Sequence, residues 1–98
     1  MPLTMDQIKE IAIPIAQKHG VKSLSLFGSY ARGKATDESD LDFYMDKGKI
    51  KGLIAYYDFV LDLEDAFHKH VDVVSTTIED KKFLKSIMSY GKLLYEEN

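Results

Sequence analysis

At Gly20 the chain changes its apolar period. Before it, Ile8, Ile11, Ala12, Ile15 and Ala16 recur at i, i+3, i+4, i+7 and i+8, one stripe along a helix over residues 4–19. Thr4 and Gln7 have the spacing of a capping box, Pro14 removes one backbone donor and should kink the helix, and Gly20 supplies a C-terminal stop. After it, in VKSLSLF, Val21, Ser23 and Ser25 alternate with Lys22, Leu24 and Leu26, the two-residue period of a strand that then runs into Phe27 and Gly28. Two further strands follow from composition: LDFYMD at residues 41–46, and VDVVS at 71–75, rich in β-branched residues. Between them residues 50–67 carry Leu53, Tyr57, Val60, Leu61, Glu64 and Phe67 at helical spacing, which predicts a mostly apolar helical face. Thr76 or Thr77 caps a last helix bearing Phe83, Leu84, Ile87 and Met88, Gly91 ends it, and LLYE forms a short edge strand. The order is α-β-(loop or short α)-β-α-β-α-(β), which implies one α/β or α+β domain over residues 1–98.

Bulk properties remove several function classes. A net charge of −3 gives no electrostatic case for direct nucleic-acid binding. No apolar run approaches the roughly 20 residues that span a bilayer, so no membrane association is expected. Without cysteine there are neither disulfides nor thiolate zinc sites. MPLTMDQIKE is acidic and amphipathic, unlike a signal peptide, and a cytoplasmic location is the expectation.

The stretch GSYARGKATDESDLD at residues 28–42 carries the chemistry. Its start, G-x-x-x-x-G-K-A, is one residue from a P-loop, but the position that must offer a hydroxyl to Mg²⁺ holds Ala35, with Thr36 one place too late. G-x-G-x-x-G is absent, so a dinucleotide fold is weaker still. Its end places Asp40 and Asp42 at i and i+2 near a strand start, on one face and about 6–7 Å apart at Cα. Asp72 sits within the otherwise apolar VDVVS, where packing explains it poorly. One such aspartate is ordinarily a turn cap, a solvated strand residue or a lysine's partner. Three together repel: like charges about 4 Å apart cost roughly 4 kcal/mol at an effective dielectric near 20. A divalent cation, or a pair of ions, reverses the sign. Gly28 lets the backbone approach an anion, Ser29 adds a hydroxyl, and a helical turn opening at Tyr30 would aim free N–H groups at it.

These residues, G-S-x10-D-x-D within G-S-x-A-R-G-x5-S-D-x-D, resemble the DNA polymerase β-like nucleotidyltransferase superfamily, and its minimal nucleotidyltransferase (MNT) branch in particular. The resemblance covers nearly the whole chain and implies a small mixed β-sheet flanked by helices. It implies that Gly28 and Ser29 contact a nucleoside triphosphate. It assigns Asp40 and Asp42 to two Mg²⁺ ions and makes Asp72 the third carboxylate, which ligates the catalytic metal and helps deprotonate an acceptor hydroxyl. Arg32, in the matching A-R-G, either holds the loop through a carboxylate or touches phosphate; Lys34 reads as a solvated loop lysine. Proteins of this branch are commonly antitoxins that transfer AMP from ATP to a tyrosine of a HEPN-domain ribonuclease toxin. In 98 residues an acceptor domain has no room, so the acceptor is expected to be a separate protein. Two alternatives stand beside this one: neutralisation by direct binding without catalysis, and nucleotidyl transfer to a small molecule. Phe43, Tyr44 and Met45 depart from the aliphatic residues many relatives carry after D-x-D.

Other polar residues read as structural. His19 suits a helix end, Asp37 and Glu38 a solvated loop, and His68 and His70, at i and i+2, lack an evident third metal ligand. Tyr56 and Tyr57 read as core or interface.

Overall fold

The computed structural model describes residues 2–75, 82, 85 and 89–97. Its elements are α1 (Met5–His19), β1 (Ser23–Phe27), α2 (Gly28–Ala31), β2 (Leu41–Asp46), α3 (Gly52–Phe67), β3 (Val71–Ser75) and β4 (Lys92–Glu96). The strands form one sheet in the order β3-β2-β1-β4. β1 runs antiparallel to both β2 and β4, and β2 runs parallel to β3, so the sheet is mixed as expected. β4 is an edge strand, the place LLYE was expected to take. The expected helix between Thr76 and Gly91 lies largely outside the described residues.

Local chemistry accounts for α1. Gln7 N–H donates to Thr4 Oγ1 at 3.1 Å and Thr4 N–H donates to Gln7 Oε1 at 2.9 Å, a complete capping box. Gly20, at φ 74°, closes the other end in a conformation that a side chain disfavours. The helix continues through Pro14.

Strand alternation decides the core. Leu24, Leu26, Leu41, Phe43, Met45, Val71, Val73 and Leu94 are buried with Ile8, Ala12 and Ala16 of α1 and Phe59, Leu63 and Phe67 of α3. The aromatic departures after D-x-D therefore divide: Phe43 and Met45 fill the core, Phe43 lying 6.0 Å from Phe67 between ring centroids, while Tyr44 is only half-buried. His19 ties α1 to α3, with Nε2 2.6 Å from Asp62 Oδ2 and the ring edge-on to Phe59.

α3 departs from the expectation in which face it buries. The buried residues are Phe59, Leu63 and Phe67, spaced by four. Of the face read from the sequence only Phe67 is in the core; Leu53, Tyr57 and Leu61 are exposed. The helix has two apolar stripes, and periodicity does not say which one meets the sheet. The polar residues between them serve β3, an edge strand with outward backbone groups to satisfy. Tyr56 OH donates to the Val73 carbonyl at 2.6 Å, and Val71 N–H donates to Glu64 Oε2 at 3.1 Å. Among the described residues, no helix is long and apolar enough to cross a membrane.

Candidate active site

Register brings the acidic residues together. Antiparallel pairing sets Phe27, the last residue of β1, opposite Asp42. α2 starts one residue later, so its first turn opens beside that carboxylate. Gly28 has φ 70°, and a methyl group there would collide with Asp42 Oδ2. Glycine is needed at 28 for this approach of Asp42 as well as for its backbone conformation. The helical turn opens at Gly28, two residues earlier than expected, which leaves the N–H groups of a first turn without intrahelical acceptors beside Ser29. Parallel pairing then sets Asp42 opposite Asp72 on the neighbouring strand. Asp40, just before β2, completes the group: Asp40, His70 and Asp72 each offer a ligand atom within 4.8 Å of one another.

Crowding shows in the proton affinity of Asp42. Its pKa is raised from 3.8 to about 6, first by burial, then by the charges of Asp72 and Asp40 and a side-chain hydrogen bond with Asp72, against a smaller lowering by His70. A carboxyl that takes up a proton beside two other carboxylates is short of positive charge. The carboxylate oxygens of this cluster suit a hard divalent ion such as Mg²⁺ or Mn²⁺. The residues present thus fit such an ion on chemistry and on charge.

His70 belongs to the site, contrary to its sequence reading. Nε2 lies 3.0 Å from Asp72 Oδ1 and Nδ1 3.0 Å from Glu64 Oε2. Both ring nitrogens face carboxylate oxygens, an arrangement satisfied fully only by the imidazolium. Its pKa is accordingly raised, first through the hydrogen bond with Asp72 and then by that residue's charge. The signal was available in sequence. His70 stands two residues before Asp72, the same one-face spacing that joined Asp40 to Asp42. His68 does not join it; it caps α3 in the left-handed conformation at φ 56°.

Lys69 was also missed. Its Nζ donates to the carbonyls of Ser39 at 2.8 Å and Asp37 at 3.1 Å, and lies 3.5 Å from Tyr30 OH. It ties the loop before Asp40 to the turn before β3. That loop is also closed on itself, with Thr36 N–H donating to Ser39 Oγ at 2.8 Å and Ser39 N–H to the Thr36 carbonyl at 3.1 Å. No sequence rule pairs residues thirty apart. The Arg32 guanidinium lies over the Tyr90 ring, 4.2 Å from its centroid. Lys34 is exposed, as expected.

A groove of about 570 Å³ leads away from the carboxylates. It is lined by Asp42, Asp72 and Phe27 together with Tyr57, Val60 and Leu61 of α3.

Comparison with known proteins bears on the family and the fold. The family model described as polymerase beta, nucleotidyltransferase matches residues 7–98. The chain is 40% identical over 73 residues to a Methanocaldococcus jannaschii protein named as a protein adenylyltransferase, covering 74% of this chain and 78% of that one. Among solved structures, a toxin-antitoxin complex with AMP-PNP contains a chain that superposes with a TM-score of 0.78 at 22% identity, covering 92% of this chain and 74% of that one. A complex of a tri-AMPylated Shewanella oneidensis HEPN toxin with its MNT antitoxin contains another, with a TM-score of 0.73 at 19% identity, covering 96% and 74%. At these identities the structural likeness establishes the fold.

Proposed function

The chain belongs to the polymerase β nucleotidyltransferase family, and on that premise we propose that it transfers AMP from ATP to a hydroxyl of another protein, the acceptor being a tyrosine of a HEPN-domain toxin that it neutralises. The observation that carries this reading is the convergence of Asp40, Asp42 and Asp72 beside the Gly28–Ser29 turn. Relatives named as protein adenylyltransferases support the AMP and the protein acceptor. The toxin complexes among structures of the same fold support the partner.

In this reading Ser29 and the first N–H groups of α2 hold the phosphates of ATP. Arg32, stacked on Tyr90 at the end of that turn, stiffens the loop beside them. Asp40, Asp42 and Asp72 are the residues that would hold Mg²⁺. When bound, the metal supplies charge that favours the developing oxyanions of an in-line phosphoryl displacement. Asp72 accepts the proton of the acceptor hydroxyl, and His70, itself held by Glu64, keeps that carboxylate oriented. The acceptor oxygen forms a bond to the α-phosphorus, the bond from that phosphorus to the bridging oxygen breaks, and pyrophosphate leaves.

Incubation of protein, Mg²⁺ and toxin with ATP labelled in turn at the α- and γ-phosphate tests the reading. Label from the α position alone should appear on the toxin and vanish when Asp42→Asn replaces wild type. Transfer of the γ label, or equal transfer by the variant, would overturn it. A second reading, neutralisation by masking, is favoured by the exposed apolar face of α3. Neutralisation by an Asp40→Asn, Asp42→Asn double variant would select it.

A further inference from the structure

Five large hydrophobic side chains are more than half exposed among the described residues, and four of them lie on α3: Leu53 at 73%, Ile54 at 82%, Tyr57 at 57% and Leu61 at 58%. At 3.6 residues per turn these four fall within about 100° of arc, separate from the stripe of Phe59, Leu63 and Phe67 that meets the core. A concentrated apolar stripe on one helix marks an interaction surface in a way that scattered exposed residues do not.

What flanks the stripe defines its occupant. On one side lies the groove, and Tyr57 and Leu61 belong to both stripe and groove wall. A second hollow of about 400 Å³ continues the groove along β3; the two share Tyr56, Val73 and Val74, and Leu53 borders the second. The trench therefore runs from Asp42 and Asp72 to the foot of the exposed stripe. On the other side stand Asp58 and Asp65, both exposed. A second copy of the chain is a poor occupant. An isologous pairing of α3 with itself brings two acidic flanks together, and like charges across an interface are unfavourable. The stripe alone buries on the order of 400 Å², about half of what one partner of a standard interface contributes. The remainder must come from the trench and the acidic flank, which an apolar surface with a basic rim covers best.

We propose that this face of α3 is the docking surface for the acceptor protein, which lays an apolar, basic-rimmed element on Leu53, Ile54, Tyr57 and Leu61 and enters the trench toward Asp42 and Asp72 with the hydroxyl to be modified. The inference rests on the protein-acceptor reading above. It assigns acceptor affinity to residues distinct from those that bind nucleotide.

The test measures, by calorimetry, the affinity of unmodified HEPN-domain toxin for wild type, for the Ile54→Arg, Leu61→Arg variant and for the Asp58→Lys, Asp65→Lys variant. Affinity for AMP-PNP with Mg²⁺ and the melting temperature serve as controls for the nucleotide site and the fold. The first variant should bind toxin about 10- to 100-fold more weakly and AMP-PNP as wild type does. The second should bind toxin several-fold more weakly at low salt, with the difference fading at high salt. Toxin affinity equal to wild type in both variants would overturn the inference. So would a wild-type dimer that Ile54→Arg, Leu61→Arg dissolves without loss of toxin binding. If wild type binds toxin but transfers no label, and the variants lose that binding, the surface is upheld and the transfer reading fails. A toxin that wild type does not bind at all sinks the surface and the pairing together.

Discussion

β2 contains both halves of the molecule's physics in alternate residues. Leu41, Phe43 and Met45 are buried in the core, while Asp42, Tyr44 and Asp46 share the opposite face with Asp72 on the neighbouring strand. The closed face gains by excluding water from apolar side chains. The open face works against itself: three carboxylates and a histidine are held close by a register that the closed face enforces. A one-residue slip of β2 would put Asp42 in the core and Phe43 outside. Stability on one face thus supports an arrangement on the other that is unfavourable without a counter-ion.

If that division is right, substitutions one residue apart have different signatures. Phe43→Ala should cost about 3–5 kcal/mol of folding stability, read by chemical denaturation, because a fully buried ring leaves a cavity. Asp42→Asn should lower AMP transfer by about 10²–10³-fold, read with α-labelled ATP, while leaving the metal-free fold as stable as wild type or more so. A large loss of stability for Asp42→Asn would break the comparison at its root.

Lys69→Met sharpens it. The lysine joins the loop before Asp40 to the turn before β3, and its loss should reduce transfer about tenfold with only about 1 kcal/mol of stability, while Lys69→Arg recovers part of the activity. Equal losses in stability and activity would make Lys69 an ordinary fold residue.

A smaller effect concerns pH. Because the pKa of Asp42 is raised from 3.8 to about 6 by folding, the native state binds its proton more tightly than the unfolded chain does. Its contribution is present in full below pH 3.8 and is lost as pH rises through about 6. Discounted for solvent screening at a half-buried site, the loss is about 1 kcal/mol. Metal-free wild type should therefore lose stability relative to Asp42→Asn between pH 4 and 7, and saturating Mg²⁺ should reverse the difference near pH 7. A stability difference that is flat with pH and indifferent to Mg²⁺ would contradict the charge crowding. The smallest effect is expected at Asp62, whose pKa is lowered first by the hydrogen bond from His19 and then by that from Lys18. Asp62→Asn should cost about 0.5 kcal/mol at neutral pH, shrink in high salt and leave transfer unchanged.

Legibility in the sequence followed the range of the interaction. α1 with its caps and the bounds of β2 and β3 follow from local periodicity, and all are as expected. That Asp72 faces Asp42 is a matter of register; the sequence suggested it only through an aspartate that packing did not explain. The buried side of α3 was misread because both of its sides are apolar. Of the carboxylates around His70, Asp72 stands two residues on and is legible in local spacing, whereas Glu64 on α3 and Asp40 before β2 are not. Lys69 was passed over because its partners are carbonyls of a distant loop, which no side-chain pattern announces.

The central claim is that Asp40, Asp42 and Asp72 converge to hold a divalent ion beside the Gly28–Ser29 turn. Crystals grown with AMP-PNP and Mn²⁺, measured at the manganese absorption edge, address it directly. An anomalous peak in direct contact with carboxylate oxygens of all three aspartates and with phosphate oxygens of the nucleotide is the expected result. Nucleotide bound without such a peak, or manganese held elsewhere while Asp42 and Asp72 face only each other, would contradict the account.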